Sequence, residues 1–549
     1  MENIEMIKSI IKKEWLKIRF IVLTLFIISI GIVTNFWHNL DFLFSTVEPE
    51  SMMWYRFATL AQKPYESLSY LFYFIGLSIS IFQFIPERVR NRIKIITNLP
   101  ISMVKSLFLH LFIGIFYIFI LSSIVTVALL YIISNYYPVE ILLVALKDIC
   151  FYFLGSIIIY LGVSSAIIEK NSIISIIKLI FSIVFIFVFH KTIFSNLDLV
   201  WILIAIVMLF SVLDSFYTIK EQRLKSFIFK FFSIISIAIV SIFSYNLYIK
   251  KYKQDFNKYY IFYSPILKEF VYQKNFGEHQ FEYGIKGKKT FDMNTYKSYL
   301  PFVYWRDLDI QGKLPLNIDG NIYDKKTIKD SRLSFSYNPT LLKPQEVQIY
   351  PLLNPKSDIG MIRFPEEILS FENNTINIYE LDHNKNDEYE NPNHKHLIED
   401  LINLPLTKNI KLPIKNVWGK PTNMKPFDLG YFILDSDNKL FRLNRYDDIL
   451  YLNQIKYPEN INLKFIKISE NKKRNLAGYA IDGNSNFYII DYQTLKFKKI
   501  ELKNFDYKTM KLLFIKNPKY YLVRYNNDNI YYSVVFDKNF NKLDEEVFE

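Results

Sequence analysis

Cysteine is nearly absent: one residue in 549, Cys150, placed inside an apolar run. An intrachain disulfide, a thiolate metal site and a paired redox centre are therefore excluded within one chain. None of the 15 glycines stands in a G-x-x-x-x-G-K-[ST] arrangement, so a phosphate-cradling loop of that type is missing. Ser, His and Asp occur without a nucleophile-elbow context, which leaves hydrolase chemistry unsupported. The net charge of +13 is spread rather than clustered: residues 1–249 hold 20 Lys+Arg against 14 Asp+Glu, and the remainder holds 46 against 39. With no long basic tract and no aromatic-basic motif, nucleic-acid binding is excluded. Beyond residue 250 there is no apolar run of the length that crosses a bilayer.

Before residue 250 such runs recur. An α-helix rising 1.5 Å per residue needs roughly 20 apolar residues to cross a hydrocarbon core. Seven stretches meet that length, at about 20–37, 66–86, 106–134, 149–168, 172–194, 199–218 and 227–249. The first is too long for a cleavable signal and lacks a small-residue cleavage site, so it reads as an uncleaved signal-anchor. The expected organisation is an amphipathic interfacial helix (1–19), a helical membrane bundle (20–249) and a mostly β extracytoplasmic domain (250–549).

Orientation follows from the basic residues in the flanks. Lys8, Lys12, Lys13, Lys17 and Arg19 precede the first span, Lys170 follows the fourth, and Lys220, Arg223, Lys225 and Lys230 separate the sixth from the seventh. The opposite loops carry Asp41, Glu48, Glu50, Glu140 and Asp198 with few basic residues. The N-terminus is thus expected in the cytoplasm of a bacterial inner membrane, and the C-terminal domain in the periplasm or outside the cell. Lys178 and Asp214 near the cytoplasmic face read as snorkelling side chains. Nothing forms a chain of acids, so a proton-coupled carrier is not supported.

Two features flank the first two spans. Ile4, Ile7, Ile11, Trp15 and Ile18 recur at helical spacing, with Lys8, Lys12, Lys13 and Lys17 mostly off the stripe and Glu14 near it. Such a helix is expected to lie in the membrane interface with its lysines toward lipid headgroups. After the second span comes PERVRNRIKIITNLPISMVK (86–105), with Val89, Ile93 and Ile96 spaced for one apolar helix face. Pro100 limits that helix and can open the next.

Together these parts resemble the ABC-2-type transporter permeases over residues 1–220. The resemblance rests on KKEWLKIRF at 12–20, the Glu87-Arg88 pair, and Leu99-Pro100-Ile101-Ser102 before the third span; Asn91-Arg92 stands where the family usually has glycine and threonine. It implies that 86–105 is a coupling helix docking into a separate ATP-binding subunit. Glu87, Arg88, Arg90 and Arg92 would make the polar contacts, and ATP with Mg would be bound by that partner alone. The resemblance also implies a second permease copy, as homodimer or heterodimer. This chain would not itself be an enzyme.

The C-terminal part reads as hairpins. GYFILDSDNKLFRL (from 430), GYAIDGNSNFYIID (from 478) and YYLVRYNNDNIYYSVVFD (from 520) each pair two strands across a polar turn. Matching Asp435, Asp482 and Tyr525 gives spacings of 47 and 43 residues, in the range of propeller blades. A propeller-like stack is expected, with a β-sandwich as the alternative. EILSFENNTINIYELD (from 367) has the same form out of period. YLPFVYWRDL (299–308) and WGKPTNMKPFDLGYF (418–432) look like segments of a bacterial domain family of unknown function. His394 and His396 are weak candidate metal ligands, set in a polar stretch that reads as a solvated loop. DSDN (435–438) reads as a turn rather than a calcium loop.

The leading expectation is a permease subunit that couples a partner's ATP hydrolysis to export, or to force on the outer domain. The alternative is a membrane-anchored receptor or scaffold without an ATPase.

Overall fold

In the computed structural model the described residues are all except 1, 48–49, 90–91, 98–101, 193–197, most of 221–257, 373–374, 381–396, 459–460, 473 and 528. The chain divides into two compact units, Met1–Lys253 and Gln254–Glu549.

The first unit is helical: α1 (Glu2–Phe42), α2 (Glu50–Leu60), α3 (Ser69–Arg88), α4 (Ile93–Thr97), α5 (Met103–Ser134), α6 (Val139–Ile168), α7 (Ser172–Thr192) and α8 (Asp198–Tyr217). Among the described residues six helices are long and apolar enough to cross a membrane: Ile7–Thr46, Glu66–Arg88, Met103–Ser134, Val139–Ile168, Ser172–His190 and Trp201–Lys220. They match the first six expected spans. The seventh, at 227–249, falls largely outside the described residues.

Two boundaries differ from expectation. Residues 1–19 do not form a helix of their own; α1 runs without a break for 41 residues, about 60 Å at the α-helical rise. Nothing between Lys17 and Phe20 interrupts a helix, and Ile10, Glu14, Ile18 and Leu25 are buried in succession along one side through the junction. Of the stripe named from the sequence, Ile18 is buried and Ile7, Ile11 and Trp15 are exposed. The span expected at 149–168 starts ten residues earlier, with Asp148 buried and held by Lys63 Nζ at 2.8 Å and Tyr65 Oη at 2.7 Å. Charged Lys147 and Asp148 mask this extension in a hydropathy reading.

Helix α3 is the most enclosed span, packed against α1, α5 and α6, while α6 also touches α7 and α8. Small residues allow this closeness. A Cβ on Gly76 would stand 2.2 Å from the Ser156 carbonyl oxygen of α6, and one on Gly162 2.3 Å from Ser182 Oγ of α7. Ser80 and Ser164 hydroxyls meet at 2.9 Å across the same α3–α6 seam.

The second unit is built from antiparallel sheets. The first contains β1 (Tyr259–Tyr263), β2 (Phe270–Gly277), β3 (Gln280–Gly284) and β4 (Thr290–Phe291). Next come α9 (Met293–Tyr299), α10 (Trp305–Ile310), the β5 (Leu316–Ile318)–β6 (Asn321–Tyr323) hairpin and α11 (Lys325–Ser331). Strand β7 (Leu333–Tyr337) precedes a three-stranded sheet of β8 (Ile349–Pro351), β9 (Glu367–Phe371) and β10 (Ile376–Glu380). After α12 (Leu397–Asn403), two meanders follow: β11 (Asn416–Trp418) to β14 (Ile449–Ile455) through β12 (Tyr431–Leu434) and β13 (Leu440–Tyr446), then β15 (Leu463–Ile468) to β18 (Phe497–Ile500) through β16 (Leu476–Asp482) and β17 (Phe487–Asp491). The last sheet has order β22-β21-β20-β19-β7, with β19 (Lys511–Lys516), β20 (Tyr521–Asn526), β21 (Tyr531–Phe536) and β22 (Lys542–Phe548).

The three hairpins read from the sequence are real, each joining the second and third strand of a four-strand meander. Strands β12, β16 and β21 are buried along their length, which is why they read as near-continuous apolar runs. Shared cores connect successive sheets: Phe371 and Leu369 with Ile433 and Phe441, Leu434 and Leu440 with Ile466 and Tyr488, Phe465 and Tyr479 with Phe514 and Val523. Ile261 and Phe270 then pack with Leu522 and Val535. The expected propeller is not found: among the described residues no barrel or ring closes, and the β1–β4 and β8–β10 sheets share no core. The unit is a β-rich succession of packed sheets.

One turn recurs three times. In 435–439, 482–486 and 537–541 an aspartate side chain accepts the backbone N–H four residues on, at 2.7–2.8 Å. The fourth residue of each turn (Asn438, Ser485, Phe540) has φ of 61–65°. DSDN is thus a hairpin turn, as its sequence indicates.

Candidate functional site: two polar nodes at one end of the helical unit

Glu87 and Arg88 are the last two residues of α3, and the two side chains engage different nodes. Glu87 is buried and its Oε1 receives Lys13 Nζ at 2.8 Å and Lys17 Nζ at 2.9 Å, both from α1. Lys17 also pairs with buried Glu14 at 2.6 Å. Gln83, one turn before Glu87, donates to Glu14 Oε2 at 3.2 Å and to the His110 carbonyl of α5 at 2.8 Å, and accepts Tyr160 Oη of α6 at 2.8 Å. His110 Nε2 stands 3.5 Å from Glu14, while its Nδ1 is 2.7 Å from the Ser106 carbonyl. Two lysines and two glutamates balance, so the node holds no net charge with His110 neutral. It joins α1, α3, α5 and α6.

The Arg88 guanidinium turns the other way and donates to the Ile167 carbonyl at 2.7 Å and to that of Glu169. Glu169 belongs to the second node. There Lys178 of α7 is buried between Glu169 Oε2 at 2.9 Å and Asp214 Oδ2 of α8 at 3.0 Å, and donates to Ser215 Oγ at 2.7 Å. Ser215 Oγ in turn donates to the Ser165 carbonyl of α6 at 2.7 Å. Lys178 and Asp214 are therefore not snorkelling side chains: they sit 9% and 0% exposed and satisfy each other inside the bundle. Periodicity could have found them, since Lys178 and Asp214 stand on otherwise apolar helices, where an unpaired charge is very costly.

Of the residues proposed from sequence, Lys8 and Lys12 are exposed. Trp15 stacks on Tyr117 of α5 with centroids 5.3 Å apart. Lys13 and Lys17 are committed to Glu87 rather than only to a lipid surface. Glu87 is turned inward, 3% exposed, so its carboxylate is not presented on the surface of this unit. In the short α4, Arg92 and Lys94 are exposed and Ile93 is buried, whereas Val89 is exposed. Ser102 of the Leu-Pro-Ile-Ser element caps α5 by accepting the Lys105 N–H at 3.4 Å. Arg90 and Pro100 lie outside the described residues, as do His394 and His396. Among the described residues no group of three or more His, Cys, Asp or Glu is placed to hold a metal ion.

The second unit matches the family described as "Domain of unknown function (DUF4857)" over residues 260–535. The chain belongs to the DUF4857 family. No curated protein and no solved structure matches it. Both stretches singled out from the sequence fall in the DUF4857 domain. Phe302 and Trp305 of the first are core residues. The second, 418–432, supplies Lys425 and Asp428 to a buried cluster with Glu470: Lys425 Nζ lies 2.9 Å from Glu470 Oε1, which also accepts the Leu429 N–H at 2.9 Å. Burial pushes the Glu470 carboxyl up to about 7, against the opposing pull of Lys425. In the same domain, buried Arg445 joins two sheets through Glu367 at 2.8 Å and Asp448 at 2.9 Å.

Proposed function

We propose that this chain is the membrane subunit of an ATP-driven complex of the ABC-2 type. Its 86–105 hinge would receive the motion of a separate ATP-binding subunit in the cytoplasm. Its spans would pass that motion to the DUF4857 domain on the far side of a bacterial inner membrane. ATP and Mg belong to the partner, and a second permease copy completes the membrane part.

The observation that supports this reading is the opposite engagement of Glu87 and Arg88. A push on the hinge reaches α1, α3, α5 and α6 through one residue, and α6, α7 and α8 through the next. Charged contacts in a low-dielectric interior are stiff connectors, because separating them leaves uncompensated charge. The hinge's own outward cations, Arg92 and Lys94, are the groups positioned to meet a partner. Force transmission to the outer domain is the favoured version over export, because the span expected at 227–249 leads directly into that domain.

The burial of Glu87 favours a second reading, in which the pair only holds the bundle together and the chain is an anchor or scaffold for its outer domain. Purification of the tagged full chain in mild detergent, with identification of co-purifying chains and an ATP hydrolysis assay, separates the two. The expected result is a near-stoichiometric ATP-binding chain that is lost in Arg92→Glu/Lys94→Glu while thermal unfolding of the permease is unchanged. A chain that purifies without an ATPase, or one whose ATPase survives the double substitution, would sink the transporter reading. Glu87→Lys is unsuitable, since it would put a third cation between Lys13 and Lys17.

A further inference from the structure

Register fixes one face of the five-stranded sheet. Leu513 opposes Arg524, Ile515 opposes Leu522, and Ser334 opposes Ile515. Side chains directly opposite each other in an antiparallel pair share a face, and the face repeats every second residue. The other face carries Phe335, Phe514 and Val523, which belong to the aromatic core shared with β15–β18. The first face packs at Leu522 and Val535 against Ile261, Phe270 and Trp305, and it is bordered by Phe262 of β1 and by Phe302. Between them lies a cavity of about 330 Å³.

The cavity has an uneven charge. Arg332, Lys516 and Arg524 line it, and no Asp or Glu does. Arg524 stacks on the Phe262 ring at 4.6 Å and donates once, to the Ile261 carbonyl at 3.3 Å. Among the described residues, most of its five N–H donors have no protein acceptor, and no carboxylate stands within ion-pair distance of it or of Arg332. Elsewhere in this unit, the buried basic residues Lys425 and Arg445 have carboxylates at 2.9 Å or less. Burial also holds the Arg524 guanidinium down at about 10, the cost of a desolvated cation that an anion would offset.

The geometry points to this cavity as a binding site for a small organic anion: one carboxylate or phosphate group held by Arg524 and Arg332, on an apolar, ring-sized body packed against Phe262, Phe302 and Tyr520. A volume near 300 Å³ is at the lower end of small-molecule pockets, which suits a single ring rather than a polymer. Arginine's planar fork matches both anion types. Placed between the first and last sheets of the DUF4857 domain, an occupant would touch β1, β7, β19 and β20 together.

Isothermal titration of the detergent-solubilised full chain with phenyl phosphate, benzoate and phenyltrimethylammonium tests the assignment. One equivalent of an anion is expected to bind, with phenyltrimethylammonium inert. Phenyl phosphate binding alone marks the phosphate class, and benzoate binding alone the carboxylate class. Arg332→Gln changes an exposed side chain and should weaken the binding anion about tenfold, the loss of one charge-assisted contact. Arg524→Gln should abolish binding. No binding by either anion, equal binding of the cation, or unchanged affinity in Arg332→Gln would each overturn the site, whatever the folding of Arg524→Gln.

Discussion

Glu87 and Arg88 are adjacent in the chain yet point into different halves of the helical unit: Glu87 to Lys13 and Lys17 of α1, Arg88 to the carbonyls that end α6. Replacing Glu87 by Gln leaves Lys13 and Lys17 facing Glu14 alone. The cost expected is on the order of 3 kcal/mol, read as a lower unfolding temperature in detergent. Lys17→Met in the same background should restore part of the loss, because it removes the surplus cation. Additive losses in the double variant would show that the two residues do not act as a pair.

Lys178 holds two carboxylates, so its removal should be worse than the removal of either one. Lys178→Met is expected to lower the yield of folded protein and its thermal stability more than Asp214→Asn does. Adding Asp214→Asn to Lys178→Met should recover stability, since one uncompensated acid disappears. Equal stability of wild type and Lys178→Met would mean that the node contributes nothing.

The end-on positions of these charges explain why they were only half legible. The approximate limits of the first six spans follow from apolar run length alone, and all six are helices among the described residues. The pairing of Glu87 with Lys17, or of Lys178 with Asp214, depends on which helices are neighbours, and that is set by small-residue contacts such as Gly76 on Ser156. No one-dimensional pattern carries this. Glu14 looked like a flaw in an apolar stripe because the stripe was assumed to face lipid; in the structure it is the centre of the buried side. In the second unit the hairpins and their period were legible from alternation and Asp turns. Closure was not, since it depends on whether the β1–β4 and β8–β10 sheets meet.

Gly76→Ala places a methyl 2.2 Å from a backbone oxygen that cannot rotate away. Loss of about 1–3 kcal/mol of bundle stability is expected from this overpacking. Gly31→Ala in α1 has nothing within 4 Å and should be neutral. Thermal unfolding of both variants side by side is the check, and equal behaviour would mean that α3 and α6 are not packed this closely.

Glu470 makes the DUF4857 domain sensitive to pH. Its folded value, near 7, lies above the ordinary 4.5, so the folded state holds a proton that the unfolded state releases. Stability is therefore greatest at or below pH 4.5 with respect to this group and falls as the pH rises toward 7. Protection factors of the 463–482 segment in the full chain, corrected for the intrinsic base-catalysed exchange rate, should fall across that window. In Glu470→Gln the dependence should vanish; if it persists, another group is responsible.

Strand β7 sets the order in which the second unit can be finished. Among the described residues every other strand of the six sheets pairs with a neighbour close in sequence, so each meander can form as soon as its own residues are available. Phe335, in contrast, lies opposite Phe514, and between them the chain must make two complete meanders and a three-stranded sheet. Loop-closure entropy makes such a contact slow and late. A chain delivered across a membrane N-terminus first would hold 333–337 as an unpaired edge until its last forty or so residues arrived. A stop codon just before β19 would then do more than remove a sheet. It would leave an aromatic strand exposed, open to pairing with another molecule or to removal by a protease, and quality control would read the missing end at the beginning of the domain.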